Sequence, residues 1–486
     1  MQEKTMKEVK FRHGVLALGL LAVVMFACVV GLGAEPQIPL VIGCAIAGGI
    51  AMYLGYTWDA VLEGMVKGIT DSLEAVLILM AIGMLVGVWI QSGTVPTMIY
   101  YGLKVVSPQL FLPITFLVTC AVGIVLGSWG AAGTIGIAFL GIAAALNIPL
   151  GMAAGAVVAG AYVSEIISPL VDGPNLAAAI ADCSVFDLCK RFLVLCLVTC
   201  GACAGIYLLM GMNLDVASTA TGASQVDALL VSLDEAYNIG PITLIPLGVM
   251  IVCVVLKVPA LPSFLVAIAI GMGEAVLLQG SDLAQVVEVA NVGVVSATGF
   301  ESLDTLLSNG GIQEMMSTIS IVVLVMAYGG IMQHTKLMDS MVEPIVSKLK
   351  SFGQLVSVTV FSGALFNVLL PDQYPAITLS TQMYRNEFRR LGVKNDVWGN
   401  IVNSSAGITS VLVPWNTCAV YMVTVLGVSC VSYAPYAFFC YLYPLVIVVA
   451  GVLFGKKLGW IGAPDAVTHA MAVPVSEGSL EREGAF

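Results

Sequence analysis

Hydrophobic runs long enough to cross a membrane recur along the whole chain and are separated by short polar stretches. The clearest runs are Gly14–Gly33, Ile38–Trp58, Leu73–Ile90, Phe192–Met210, Ile239–Leu256, Leu261–Leu278, Thr318–His334 and Ala434–Phe454. One helical crossing of a bilayer takes about 20 apolar residues, so each run predicts a transmembrane helix. Asp59–Asp71 instead mixes charged and apolar residues at helical spacing, which predicts an amphipathic helix at the membrane interface.

Glycine and proline interrupt the apolar pattern twice between Gln109 and Asp187, at GSWGAAGT and at SEIISPLVDGPN. The basic pair Lys190 and Arg191 places the end of this region in the cytoplasm. Pro108–Asn147, about two crossings long, therefore predicts a hairpin with its tip at GSWGAAGT, and Pro149–Asp187 predicts one crossing with a break near SPLVDGPN. Broken backbone at bilayer depth must be buried in protein or face water.

The second half of the chain shows the same order of features. Gln354–Tyr384 has turn residues at LLPDQYP and predicts a re-entrant hairpin, and Val397–Val428 predicts a crossing broken at VPWNTC. The basic residues around these segments give the two halves opposite orientations in the membrane. Inverted repeats whose broken helices meet near the midplane are a common architecture of secondary transporters.

The predicted fold is an all-α polytopic membrane protein with two inverted repeats, re-entrant hairpins, broken transmembrane helices and about ten crossing helices. We expect this division of the chain: a cytoplasmic N-terminus (1–13), two spans (14–58), repeat 1 (59–210), a linker loop with two spans (211–280), repeat 2 (281–455) and a cytoplasmic tail (456–486). The expected location is the plasma (inner) membrane, with both termini in the cytoplasm.

Composition supports a membrane protein and excludes other classes. Of 486 residues, 59% are hydrophobic and 10% are charged, and the mean hydropathy is +1.00. The net charge of -11 argues against nucleic-acid binding. The twelve cysteines have no companion histidines, so they indicate buried thiols rather than a metal centre. A channel is disfavoured because no repeated selectivity filter is found, and an enzyme because no nucleophile with a nearby base is found.

Two carboxylates in the first broken segment are candidates for an ion site, and Asp172 is the stronger of the two. Asp172 lies between helix-breaking elements, where backbone carbonyls could complete an oxygen shell, although it could also cap the following helix. Glu165 lies one to two turns earlier and could share the site or carry a proton. Further candidates are Asp372 at the second hairpin tip and two asparagines at what we take to be symmetric positions, Asn175 and Asn416, although each asparagine could instead cap a helix.

Other side chains of the interrupted segments are candidate ligands or cavity-lining groups: Ser128, Thr134, Ser168, Trp415, Thr417 and Gln373. For the serines and threonines, hydrogen bonding to their own helix backbone is an equally good interpretation.

The interrupted segments resemble the NhaC family of sodium/proton antiporters, a branch of the ion-transporter superfamily that also includes sodium/malate–lactate antiporters. The resemblance rests on four blocks, GTVPTMIYYGL, GSWGAAGTIGIAFLGI, AGAYVSEIISPLVDGPNLAAA and VLVPWNTCAVYMVTVLGVSCVSYAPYAF. Both acidic positions of the third block are kept, as Glu165 and Asp172. Ile166 replaces a lysine typical of the family, and Asn400, Asn403 and Ser404 replace an arginine and two carboxylates.

The resemblance implies sodium/proton antiport by alternating access, with no cofactor and no metal beyond the transported cation, which we expect to be sodium. The loss of ionisable residues in the second repeat keeps an alternative open, a sodium- or proton-coupled transporter of a small carboxylate or amino acid. Expected partners are the transported ion or solute and the lipid bilayer, while a homo-oligomer stays open.

Overall fold

The computed structural model describes residues 7–460 except 106, 215–219, 257, 298, 300–303, 305–306, 339, 341–350, 371 and 456. Of the expected N-terminus 1–13 and tail 456–486, residues 1–6, 456 and 461–486 lie outside the described residues. So do Pro371 in the second hairpin turn and parts of the linker loop and of repeat 2.

Regular structure in the described residues is helical. The first half contains α1 (Phe11–Met25, continued as a π-helix over Phe26–Gly31), α2 (Gln37–Leu54), α3 (Trp58–Asp71), α4 (Leu73–Gln91), α5 (Thr94–Val105), α6 (Pro108–Ala131, followed by a π-helix over Ala132–Gly136), α7 (Ile137–Ala145), α8 (Leu150–Ile167), α9 (Asp172–Ala181), α10 (Val185–Arg191) and α11 (Leu193–Met212).

The connecting helices are α12 (Ala220–Ala236), α13 (Ile245–Val255) and α14 (Ala260–Leu277). The second half contains α15 (Leu283–Val292), α16 (Ile312–His334), α17 (Phe352–Leu369), α18 (Gln373–Arg390), α19 (Asn395–Val402, followed by a π-helix over Asn403–Gly407 and a 3₁₀ turn over Ser410–Leu412), α20 (Thr417–Leu426), α21 (Cys430–Tyr433, followed by a 3₁₀ turn over Ala434–Tyr436) and α22 (Phe438–Phe454).

Length and hydropathy show that the protein spans the membrane several times. Within the described residues, six helical segments are long and apolar enough to cross a bilayer, and up to ten are if each bent helix pair forms one span. This confirms the predicted all-α polytopic fold.

The first hairpin turns at Gly127, whose φ of 77° and ψ of 170° break α6. A positive φ of this size favours glycine. Phe111 in the first arm contacts Phe139 in the second, with ring centroids 6.1 Å apart. The first arm runs in the same direction as α8, since Thr119 lies beside Gly160 and Ile124 beside Ser168. The second arm runs in the opposite direction, since Ser128 lies beside Glu165 and Gly136 beside Val157. The two arms therefore run in opposite directions, as predicted.

The second hairpin consists of α17 and α18. Tyr384 in α18 donates a hydrogen bond to Ser362 Oγ in α17, at 2.8 Å. The chain reverses between Leu370 and Asp372, and the Asp372 side chain caps α18 by accepting from the Tyr374 backbone N–H at 2.8 Å. The predicted turn at LLPDQYP is confirmed.

The two broken helices cross each other in antiparallel directions. The first is broken over Ser168–Val171, between α8 and α9, and the second over Val413–Asn416, with a bend of 47°. Along α9, Gly173 lies beside Asn403, Ala177 lies beside Gly399, and the Asp182 carbonyl accepts a hydrogen bond from Asn395. Equivalent helices with opposite directions are what an inverted repeat requires.

A constant spacing relates the two halves. Helix starts separated by 245 positions are Leu150 and Asn395, Asp172 and Thr417, Val185 and Cys430, and Leu193 and Phe438. The same spacing relates the Ser128–Glu165 hydrogen bond to the one between Gln373 and Ser410. Pro169 therefore corresponds to Pro414, and Asn416 corresponds to Val171. The expected symmetry of Asn175 with Asn416 is wrong, because the shared proline precedes the second helix by one turn in both repeats.

The expected interfacial helix is instead packed against a membrane-spanning helix. Gly64 and Gly68 on α3 lie against the backbone of Gly330 and Met326 on α16, closely enough that a side chain at either glycine would clash. Trp58, Leu62 and Val66 remain exposed on the other face. The helix is therefore amphipathic, but it does not lie on the bilayer surface alone. Its glycines pack against a neighbouring helix.

Candidate functional site

A cavity of about 390 Å³ lies where the first broken helix meets both hairpin tips. Ile78, Ile82 and Phe264 form its apolar wall. Its polar and aromatic lining consists of Ser128, Trp129, Glu165, Asp172, Gln373 and Tyr374. The structure thus brings four of the predicted site residues, Glu165, Asp172, Ser128 and Gln373, to one cavity that contains residues of both repeats.

Glu165 is the buried carboxylate of this cavity, with 2% of its surface exposed. Its Oε1 accepts a hydrogen bond from Ser128 Oγ, at 2.6 Å. Its Oε2 has no hydrogen-bond partner within the described part of the chain. A carboxylate in a membrane interior is costly unless it is neutralised by a proton or a cation, so this oxygen is suited to exchange one for the other.

Asp172 is the exposed carboxylate of the cavity. It is the first residue of α9, and no side-chain cap is formed at that helix start, so the capping interpretation is not supported. Its Oδ2 accepts a hydrogen bond from the Tyr374 hydroxyl at 3.2 Å. The two carboxylates therefore differ in position: Asp172 is exposed, and Glu165 is buried.

The three other charged or amide candidates form hydrogen bonds within the protein at the chain breaks and helix starts. Asn416 caps α20 by accepting from the Cys418 N–H at 3.1 Å, and its amide donates to the Asn367 carbonyl at 3.3 Å. Asn175 donates to the Pro169 and Val171 carbonyls at 2.9 and 2.8 Å. Asp372 accepts from Tyr374 N–H with one oxygen and from Thr417 Oγ1 with the other. None of them is part of the cavity lining described above.

The remaining candidates also donate hydrogen bonds to backbone carbonyls. Thr134 Oγ1 donates to the Gly130 carbonyl at 2.7 Å, Ser168 Oγ to the Ile124 carbonyl at 2.7 Å, and Trp415 Nε1 to the Val368 carbonyl at 2.8 Å. Backbone bonding, the second interpretation of Ser and Thr in apolar helices, therefore describes Thr134 and Ser168.

Polar contacts also join the two repeats at the end of α9 away from Asp172. Arg191 Nε donates to Asp396 Oδ2 at 2.7 Å, and Asn395 Nδ2 donates to the Asp182 carbonyl at 3.1 Å. Arg385 on α18 also donates to the Ile180 carbonyl at the far end of α9. Asp172, which is exposed, lines the cavity together with Glu165, and these contacts between the repeats lie at the other end of α9.

The sequence analysis missed two residues. Asn403 is fully buried, and its Oδ1 has no hydrogen-bond partner among the described residues. The signal for it was a pair of amides, Asn400 and Asn403, one turn apart in an apolar helix. Glu274 on α14 is 8% exposed and likewise has no partner there, but it lies outside the cavity lining.

Broken helices, hairpin tips and a buried carboxylate that lines a cavity between the repeats define an inverted-repeat membrane transporter rather than an enzyme. Residues 160–456 match the Na+/H+ antiporter family. The chain belongs to this family.

Relatives of this chain differ in what their names say they transport. The chain is 31% identical to the Na(+)/H(+) antiporter NhaC of Alkalihalophilus pseudofirmus, over 90% of this chain and 94% of the relative. It is 31% identical to the malate-2H(+)/Na(+)-lactate antiporter of Bacillus subtilis, over 87% and 90%. It is 29% identical to the arginine/ornithine antiporter ArcD of Halobacterium salinarum, over 92% of each.

Proposed function

We propose that the protein exchanges sodium for protons by alternating access. The observation that carries this proposal is Glu165, a buried carboxylate that lines the cavity and whose Oε2 has no hydrogen-bond partner among the described residues. A carboxylate there is neutral when protonated and binds a cation when ionised, so the two ions compete for it. Family membership supports the same activity.

In this proposal the sodium ion first meets Asp172 at the cavity opening and then Glu165. The moving parts are the two repeats, which we propose to be residues 59–210 and 281–455. Residues 14–58 and 211–280 flank them as additional spans and a linker. The ion pair between Arg191 and Asp396 joins the two repeats, and in this proposal it separates when the repeats move relative to each other. No cofactor beyond the transported cation is required.

Reconstitution tests the exchange directly. In proteoliposomes loaded with sodium and diluted into sodium-free buffer, we expect the lumen to acidify, because each exported sodium ion is replaced by protons. A pH-sensitive dye in the lumen reports this change, and protein-free vesicles are the control. Choline in place of luminal sodium should remove the response.

A second candidate is coupled transport of a small carboxylate or amino acid. The cavity volume of about 390 Å³ is within the range of small-molecule sites, and Trp129 and Tyr374 give it aromatic walls. Two relatives are named for organic solutes. If the sodium-loaded vesicles stay at constant lumen pH while malate, lactate or arginine gradients drive proton or charge movement, this second candidate replaces the first.

We also propose that the protein lies in the plasma (inner) membrane with both termini in the cytoplasm. In a background without native cysteines, Lys190→Cys should react with a membrane-impermeant maleimide only from the cytoplasmic side. Asn213→Cys, at the other end of α11, should react only from outside, because both positions are exposed and the helix between them is an apolar span. Labelling of Asn213→Cys from the cytoplasm alone would contradict the orientation.

A further inference from the structure

Two buried oxygens face one small space beside Gly173, at the start of α9. A methyl group added to Gly173 would lie 2.5 Å from Glu165 Oε2 and 3.4 Å from Asn403 Oδ1. Both side chains are buried, with 2% and 0% of their surfaces exposed. Neither oxygen has a hydrogen-bond partner within the described residues. Two buried, unpaired acceptors beside the same position are unfavourable unless something in that space supplies positive charge or a proton.

The other polar atoms of both side chains fix this orientation. Glu165 Oε1 accepts from Ser128 Oγ, so Oε2 is the oxygen that remains free. Asn403 Nδ2 donates to the backbone carbonyl of Glu165, and turning the amide over would place two oxygens against each other. The absence of a side chain at Gly407 leaves room for the Asn403 carbonyl on its own helix. The two oxygens are therefore held toward Gly173 by contacts from both repeats.

We propose that Glu165 and Asn403 form a dehydrated subsite beside Gly173 that holds either one proton or one sodium ion. When Glu165 is protonated, its hydroxyl donates to Asn403 Oδ1, and both acceptors are satisfied. When Glu165 is ionised, sodium is bound between the carboxylate and the amide oxygen. This inference rests on the proposed sodium/proton exchange and adds a neutral ligand from the second repeat.

The second repeat has no equivalent subsite at the positions that lie 245 residues after Gly173 and Glu165. Cys418 corresponds to Gly173, and Ser410 corresponds to Glu165. The Cys418 thiol lies beside Ser410 and Tyr162, so side-chain atoms occupy the space that Gly173 leaves open in the first repeat. One buried cation per chain is therefore expected, although the two repeats share one architecture.

The titratable groups around Glu165 determine how the subsite responds to pH. They are Asp172 on α9, Tyr374 on α18, Cys418 on α20 and Tyr162 on its own helix. Of these, Asp172 is the other carboxylate of the cavity. The pH measurements below are therefore made with and without Asp172→Asn.

Sodium binding to purified protein tests the subsite without requiring transport. Sodium-dependent thermal stabilisation at constant ionic strength gives the apparent Kd. We expect Gly173→Ala to raise that Kd at least tenfold, because the methyl group takes the space between the two oxygens, and Asn403→Ala to raise it by a similar factor. Gly205→Ala on α11, where a methyl group meets open space, is the matched control and should bind normally.

Asn403→Asp provides a second measurement that a purely structural role would not change. A second carboxylate in the subsite should raise the number of protons displaced per sodium from one to two, seen as a steeper dependence of log Kd on pH. Unchanged affinity in Gly173→Ala and Asn403→Ala, or an unchanged pH slope in Asn403→Asp, overturns the subsite. If the wild type shows no sodium-dependent stabilisation at all, it is the proposed function that fails.

Discussion

Glu165→Gln should abolish sodium-driven proton movement while leaving the protein folded. Glutamine has nearly the same shape and can still accept the hydrogen bond from Ser128, but it can neither release a proton nor neutralise a cation. A hydrogen bond or ion contact to a charged group contributes about 1.5–3 kcal/mol, so sodium affinity should fall by roughly 10- to 100-fold. Exchange should be lost altogether, since the variant has no proton to trade at this position.

Asp172→Asn is the matched comparison, because it removes the other carboxylate of the same cavity. Asp172 is exposed at the opening and is held by Tyr374, so its loss should weaken sodium capture and slow transport without removing the exchangeable proton of Glu165. Dye-monitored acidification of sodium-loaded proteoliposomes measures both variants, and thermal unfolding in detergent confirms that they fold. Normal exchange by Glu165→Gln would exclude Glu165 as the proton carrier.

The sequence predicted the breaks and turns of this fold because glycine, proline and carboxylates are rare inside apolar helices. Gly127, the Ser168–Val171 segment and the Asp372 turn were identified in this way. The same physical rule located the site, since a carboxylate such as Glu165 is retained at bilayer depth only for a reason.

The partners of individual polar side chains could not be predicted in the same way. Asn416 and Asp372 carry oxygens of the kind that bind ions, yet both side chains accept hydrogen bonds from backbone N–H groups at helix starts. In the sequence, Asn403 is notable only because it replaces a carboxylate typical of the family. The crossing of the two broken helices is what places its oxygen beside Gly173. Which of several buried amides is left unpaired depends on contacts between residues more than 200 positions apart, for which a single sequence carries no local signal.

Sodium affinity should fall as the pH is lowered, because protons and sodium compete for the same carboxylates. Where the competing carboxyl is mostly protonated, one displaced proton per sodium raises the apparent Kd about tenfold for each unit of pH decrease. At higher pH, where the carboxyl is already ionised, the Kd should become constant. The wild-type slope is measured from sodium titrations of purified protein at a series of pH values and at constant ionic strength.

The variants determine which carboxylate produces this dependence. Glu165→Gln should bind sodium weakly at every pH and show at most the shallow dependence that Asp172 contributes. Asp172→Asn should retain the tenfold slope, because the exchangeable proton on Glu165 remains. The double variant should show no dependence over this range. A wild-type affinity that is flat from acidic to alkaline pH would show that these carboxylates do not couple sodium to protons, and coupled transport of an organic solute would then be the better account of this cavity.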